Sequence, residues 1–144
     1  MMIKNIRHTG VVVEDIDQSL RFYRDLLGFK VTKQMEESGG YIDNMLALKG
    51  IKVTTIKMTL PDGQMIEMLK YHSHPRQGAF RDSCEVGISH IAFTVDNLDK
   101  EYDRLKKEGI KFNAPPQHSP DGYAKVTFCR APEGTLVELV EVLK

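Results

Sequence analysis

Two histidines and two glutamates carry the chemistry legible in this chain, because each pair holds matching places in a duplicated stretch. Ile6-Arg7-His8 leads an apolar run to Val13, and Ile88-Ser89-His90 leads a similar run to Val95, 82 residues on (90 − 8). Pro61-Asp62-Gly63-Gln64-Met65-Ile66-Glu67-Met68-Leu69 reads against Pro132-Glu133-Gly134-Thr135-Leu136-Val137-Glu138-Leu139-Val140, 71 residues on (138 − 67). Residues alternate faces along a strand, which groups His8 with Ile6 and Val12, and His90 with Ile88 and Ala92. The same rule sets Glu67 with Met65 and Leu69, and Glu138 with Leu136 and Val140. If these apolar rows face inward, an ionised carboxylate there needs a cation or a metal beside it. Two imidazoles and two carboxylates, one pair from each repeat, are a coherent ligand set for one divalent ion.

The elements that must position these residues follow the same duplication. Apolar residues at Ile16, Leu20, Tyr23 and Leu27, and again at Leu98, Tyr102 and Leu105, have the spacing of an amphipathic helix. Asp15 and Asp96 stand where N-caps belong, and Gly28 and Gly109 where helices stop. The segments Ile51 to Leu60, Gln64 to Tyr71, Tyr123 to Arg130 and Thr135 to Leu143 are β-branched or apolar and bounded by Pro/Gly turns, so they read as strands. His72 to Glu85 and Ala114 to Gly122 read as loops. Each half is thus a strand with a His, a helix, further strands, and a closing strand with a Glu. The expectation is one α+β domain over residues 1–144, built of half-modules of about 1–75 and 86–144.

Composition narrows the class. The chain has 144 residues, with 20 Lys+Arg against 20 Asp+Glu, so no global field draws it to nucleic acid or an anionic membrane. The longest run without Asp, Glu, Lys or Arg is Val86 to Val95, far short of the roughly 18 residues of a membrane span. The first residues show no apolar signal core. Two cysteines, Cys84 and Cys129, make no disulfide framework, which points to a reducing cytoplasm.

Other candidates are weaker. His72 and His74 fall in the loop after the Glu67 strand and are expected to face solvent, while His118 could line a pocket mouth. Glu141 faces opposite to Glu138 and is expected to be solvated. Cys84 and Cys129 lack a Cys-x-x-Cys context and read as inert thiols. Met58, Met65 and Met68 read as core filler. Gly39-Gly40 is too short to cradle a phosphate.

With these residues in place, the chain resembles the vicinal oxygen chelate proteins, the glyoxalase and bleomycin-resistance superfamily. The resemblance rests on His8, on Ser19-Leu20-Arg21-Phe22-Tyr23-Arg24-Asp25-Leu26-Leu27-Gly28, on Ile88-Ser89-His90 and on the closing Pro132 to Leu139 segment. It implies two tandem βαβββ modules curled into an open, barrel-like mixed sheet around one divalent metal ion: Zn, Ni, Co, Mn or Fe. Its ligands would be His8, Glu67, His90 and Glu138. It also implies a homodimer acting on a small molecule. The His, Glu, His, Glu order is similar to that of short glyoxalase I enzymes (lactoylglutathione lyases). Methylmalonyl-CoA epimerases usually carry Gln at the position of Glu67. Glyoxalase I commonly has an Arg four residues after its first His to hold a glutathione carboxylate, and this chain has Val12 there. Fosfomycin transferases and extradiol dioxygenases need only two His and one Glu. The implied reaction is proton transfer through a metal-stabilised enediolate, with Glu138 as general base and Glu67 as its partner. The alternatives are racemisation of an acyl thioester, an oxygen-dependent iron enzyme, and a non-catalytic resistance-type binder.

Overall fold

The computed structural model describes residues 2–75 and 81–144, so part of the loop expected over 72–85 lies outside the described residues. The chain divides into two compact units, Met1–Gly78 and Ala79–Lys144. The first contains β1 (Thr9–Val12), α1 (Ile16–Leu20), β2 (Lys30–Ser38), α2 (Gly40–Leu46), β3 (Lys52–Thr59) and β4 (Met65–Tyr71). The second contains β5 (Ile91–Thr94), α3 (Leu98–Lys107), β6 (Gln117–His118), β7 (Ala124–Arg130) and β8 (Leu136–Val142). Each unit is a four-stranded mixed sheet, ordered β1-β4-β3-β2 in the first and β5-β8-β7-β6 in the second. The second reproduces the expected βαβββ sequence, while the first carries α2 as an addition that periodicity did not reveal.

In both units a tight turn makes the central hairpin. Gly63, after Pro61-Asp62, takes φ 88, a left-handed conformation that suits a residue without Cβ. The hairpin's last strand then pairs in parallel with the unit's first strand: β4 with β1, and β8 with β5. Alternation divides each sheet into two faces. In the first unit Val11, Ile56, Met58, Ile66 and Met68 share one face and are buried, as are Phe22 and Tyr23 from the helix that follows β1. In the second, Val137, Leu139 and Cys129 are buried together with Leu98 and Leu105 of α3.

The helix ends show where local reading succeeds and fails. Asp15 caps α1, its carboxylate accepting from the Gln18 N–H at 3.1 Å. Beyond Leu20 the helix widens into a π-helical turn over Arg21–Leu26, in which Leu27 N–H donates to the Phe22 carbonyl at 3.0 Å. This shift brings Phe22 and Tyr23 together into the interior, so the buried stripe includes Phe22, which the spacing 16, 20, 23, 27 leaves out. The segment ends at Gly28, φ 88, with Phe29 N–H returning to the Tyr23 carbonyl at 2.9 Å. In the second unit the expected cap Asp96 is displaced by its neighbour. The Asn97 side-chain oxygen accepts from Lys100 N–H at 3.0 Å, because Leu98 begins the helix one residue later than the pattern suggested.

Glu141 is also not simply solvated. Its carboxylate reaches from β8 to the N-terminus of α3 and accepts the Leu98 N–H at 2.7 Å, where the helix dipole favours a negative group. The loop expected over 114–122 contains the two-residue strand β6, which holds His118 opposite Lys125 on the sheet edge. Replacing Asn97 with Ala is expected to lower unfolding free energy by about 1 kcal/mol. Asp96→Ala should stay within about 0.5 kcal/mol of the parent. Urea midpoints at constant slope measure both.

Candidate functional site

Each unit brings one histidine and one glutamate together by the same construction. Glu67, on β4, lies opposite Gly10 of β1 on one side and Lys57 of β3 on the other. His8 stands two residues before Gly10, on the same sheet face. His8 Nε2 lies 3.7 Å from Glu67 Oε1. In the second unit Glu138, on β8, lies opposite Ala92 of β5 and Phe128 of β7. His90 stands two residues before Ala92, and its Nε2 is 3.0 Å from Glu138 Oε1.

Neither histidine is on a strand. β1 begins at Thr9 and β5 at Ile91, so each histidine stands one residue before the first pair of its parallel ladder, Thr9 with Ile66 and Ile91 with Val137. The rows through His8 and His90 do not face inward either: Ile6 is 79% and Ile88 84% exposed. The carboxylates are nevertheless well covered, with side chains 16% exposed for Glu67 and 21% for Glu138. They stand on the half-open face of each sheet, with the apolar core on the other.

Hydrogen bonds orient His90. The Ser89 hydroxyl donates its one proton to the Ser83 carbonyl at 3.1 Å, so at its 3.0 Å contact with His90 it accepts from Nδ1–H. The other ring nitrogen, Nε2, is thereby left to face Glu138. As a lone pair it would meet the carboxylate as acceptor against acceptor, which a shared cation reconciles. The Phe128 ring meets the imidazole edge-on at a centroid distance of 5.4 Å and shields one side. His8 is held differently: its Nδ1 is buried without a hydrogen-bond partner among the described residues.

Each pair supplies one imidazole and one carboxylate, donors of the kind that a divalent ion takes. Two ligand atoms at about 2.0–2.2 Å from one ion lie roughly 3 Å apart when bound at right angles and somewhat further apart in a tetrahedron. The pair separations of 3.0 and 3.7 Å are close to that range. Within each unit, among the described residues, no third His, Cys, Asp or Glu completes a metal-holding group.

The remaining candidates take other roles. His72 is exposed, as expected, and its Nε2 lies 2.7 Å from the buried Thr54 hydroxyl, which also donates to Glu36 at 2.6 Å, so it links the end of β4 to the neighbouring strands as well. His74 Nδ1 contacts Ser73 Oγ at 2.9 Å in a left-handed conformation, φ 51. A cavity of about 510 Å³, at the other end of β1 and β4 from His8, is bordered by Val12, Leu48, Lys70, Tyr71 and His74. Cys84 is exposed; burial pushes the Cys129 thiol up to about 12. Sequence reasoning missed Lys57, Ser89 and Phe128. Lys57 and Phe128 were within its reach, since they are separated by the same 71 residues (128 − 57) as the two glutamates.

Known proteins resemble this chain in sequence and in fold. The model of the Glyoxalase/Bleomycin resistance protein/Dioxygenase superfamily matches residues 5–139. The ethylmalonyl-CoA/methylmalonyl-CoA epimerase of Cereibacter sphaeroides is 27% identical over 146 residues, covering 98% of this chain and 100% of that protein. The lactoylglutathione lyase of Schizosaccharomyces pombe is 26% identical over 148 residues, 97% of this chain and 48% of that protein. A glyoxalase family protein from Bacillus cereus has the same fold, with a TM-score of 0.89 over 100% of this chain and 97% of its own, at 22% identity. No helix among the described residues is long and apolar enough to cross a membrane.

The two thiols give a direct check on the placement of Cys84 and Cys129. In native protein at neutral pH one thiol per chain, Cys84, is expected to react rapidly with a disulfide reagent. The second should appear only on unfolding, because a thiol with a pKa of about 12 presents almost no thiolate.

Proposed function

Since the chain belongs to the Glyoxalase/Bleomycin resistance protein/Dioxygenase superfamily, we propose that it is a divalent-metal-dependent enzyme of the glyoxalase I type. It moves a proton within a small substrate that presents two neighbouring oxygens. The superfamily's name spans enzymes and resistance proteins alike, so the activity must be argued from this chain's residues. The observation that carries the reading is the pair of equivalent His–Glu contacts, His8–Glu67 and His90–Glu138, set by the same register in both units. A chain that only bound a ligand would have no need to keep both pairs through the divergence of its halves.

In this reading His8, Glu67, His90 and Glu138 hold one ion: two neutral donors and two anionic ones, balancing a divalent charge. When bound, such an ion polarises the substrate's oxygens and lowers the cost of removing the adjacent carbon-bound proton. Glu138 takes that proton as general base. The Phe128 ring beside its histidine keeps water from one side of the pair. Glu67 is its partner in the transfer. Return of the proton to the neighbouring carbon gives isomerisation; return to the opposite face of the same carbon gives epimerisation, the activity named for the Cereibacter relative. Glu67, where epimerases of this type usually have Gln, favours isomerisation. The working state is a cytoplasmic homodimer, consistent with free cysteines and with apolar Val12 and Met35 exposed on the Glu67 face.

The test is metal content together with solvent exchange. The purified protein is expected to retain about one divalent ion per chain and to wash deuterium from solvent into the hemithioacetal of methylglyoxal or into an acyl thioester. Chelation should stop the exchange, and Glu138→Gln should slow it by about 10²- to 10⁴-fold. A metal-free protein that exchanges neither substrate overturns the proposal in favour of a non-catalytic binder.

A further inference from the structure

The row of residues that crosses each sheet through its glutamate is Gly10, Glu67, Lys57, Lys33 in the first unit and Ala92, Glu138, Phe128 in the second. The two rows match in their small residue and their carboxylate. They part at the next place, where the first has a lysine and the second an aromatic ring. On the core-facing side Met58, Ile66 and Met68 keep apolar counterparts in Cys129, Val137 and Leu139, while Thr127 stands where the first unit has Ile56.

Lys57 is poorly satisfied where it stands. Its ammonium lies 4.0 Å from Glu67 Oε2, beyond the roughly 2.7–3.2 Å of a hydrogen bond, and has no other partner among the described residues. The side chain is only 25% exposed, so water meets just part of its donor capacity. Lys33 lies directly opposite on β2 and also has no partner among the described residues. Like charges facing each other across a strand pair repel. One carboxylate, already turned toward His8, offsets one of the two. Two adjacent ammonium groups with unused donors, on the open face beside the proposed reacting centre, are suited to an oxygen anion.

We propose that Lys57, supported by Lys33, binds an anionic group of the substrate. The molecule handled at the His8–Glu67 pair therefore carries a carboxylate or phosphate next to its reactive oxygens. This rests on the proton-transfer reading for the identity of the ligand as substrate, but not for the binding itself. It also distinguishes the halves: the first unit recognises charge, and the second, with Phe128 in place of the lysine, excludes water.

Chelator-stripped protein allows the idea to be tested without metal or turnover. Lysine side-chain NMR signals are followed during titration with glycolate and with inorganic phosphate, and with glycolamide as the uncharged control. Saturable shifts of Lys57 and Lys33 are expected for at least one anion and not for glycolamide, and the tighter anion identifies the chemical class. Lys57→Met should weaken that binding about ten-fold, the loss of one charge-assisted hydrogen bond, while Lys57→Arg stays within about three-fold of the parent. Unchanged melting of Lys57→Met shows that the fold is intact, and the Arg variant carries the test if it does not. Binding that is absent for both anions, equal for glycolamide, or unaffected by Lys57→Met overturns the proposal. Because the readout needs no metal, any of these results leaves the proton-transfer reading to its own test.

Discussion

A carboxylate on the middle of a sheet face, with most of its surface taken from water, cannot stand alone. Glu67 and Glu138 are 16% and 21% exposed, and each sits between two strands where solvent cannot surround it. Desolvation on that scale is offset only by positive charge or by donated hydrogen bonds. Much of the local structure serves this need. The parallel pairing of β1 with β4 and of β5 with β8 places a histidine two residues before the glutamate's partner, a small residue in both units, Gly10 and Ala92. The remaining lone pairs are turned toward Lys57 in one unit and screened by Phe128 in the other.

The hairpins explain why this works twice. Each unit's central pair is joined by a Pro-acidic-Gly turn, and the strand leaving the turn carries the glutamate at a fixed distance from it. The histidine falls one residue before the first pair of the parallel ladder in both units. A histidine within the ladder would have its backbone held on both sides. One residue earlier, the ring is set by side-chain contacts instead, as Ser83, Ser89 and His90 show in the second unit. The helix that follows each first strand buries aromatic or leucine side chains on the far face, which keeps the apolar core and the carboxylate face apart.

Repetition made most of this legible in the sequence. A single His or Glu in a strand signals little, but two of each at matching places, beside Pro-acidic-Gly turns, marked both the modules and the residues that now stand in contact. What could not be read depended on neighbours distant in the chain. Glu141 looks solvated by alternation, yet it caps α3, 43 residues away. The choice between Asp96 and Asn97 turns on where the helix begins, which two adjacent capping residues leave undetermined. Phe22 entered the interior because a π-helical turn rotates the helix after Leu20, and hydrophobic spacing assumes an unbroken 3.6-residue period. Which face is covered was left open for a related reason. Alternation tells which residues share a face but not which face is covered, and Ile6 and Ile88 are apolar yet exposed.

The same duplication that reveals the pairs also shows where they stopped being equivalent. Two copies of one module begin identical, and identical halves can only present identical chemistry. Lys57 against Phe128 breaks the symmetry at the nearest possible position, one strand away from each glutamate and on the same face. Lys57 gives the histidine face of the first unit a charge, and Phe128 gives the same face of the second an apolar surface. The divergence falls on a central strand of each sheet and leaves undisturbed the register that sets a histidine beside a glutamate in both.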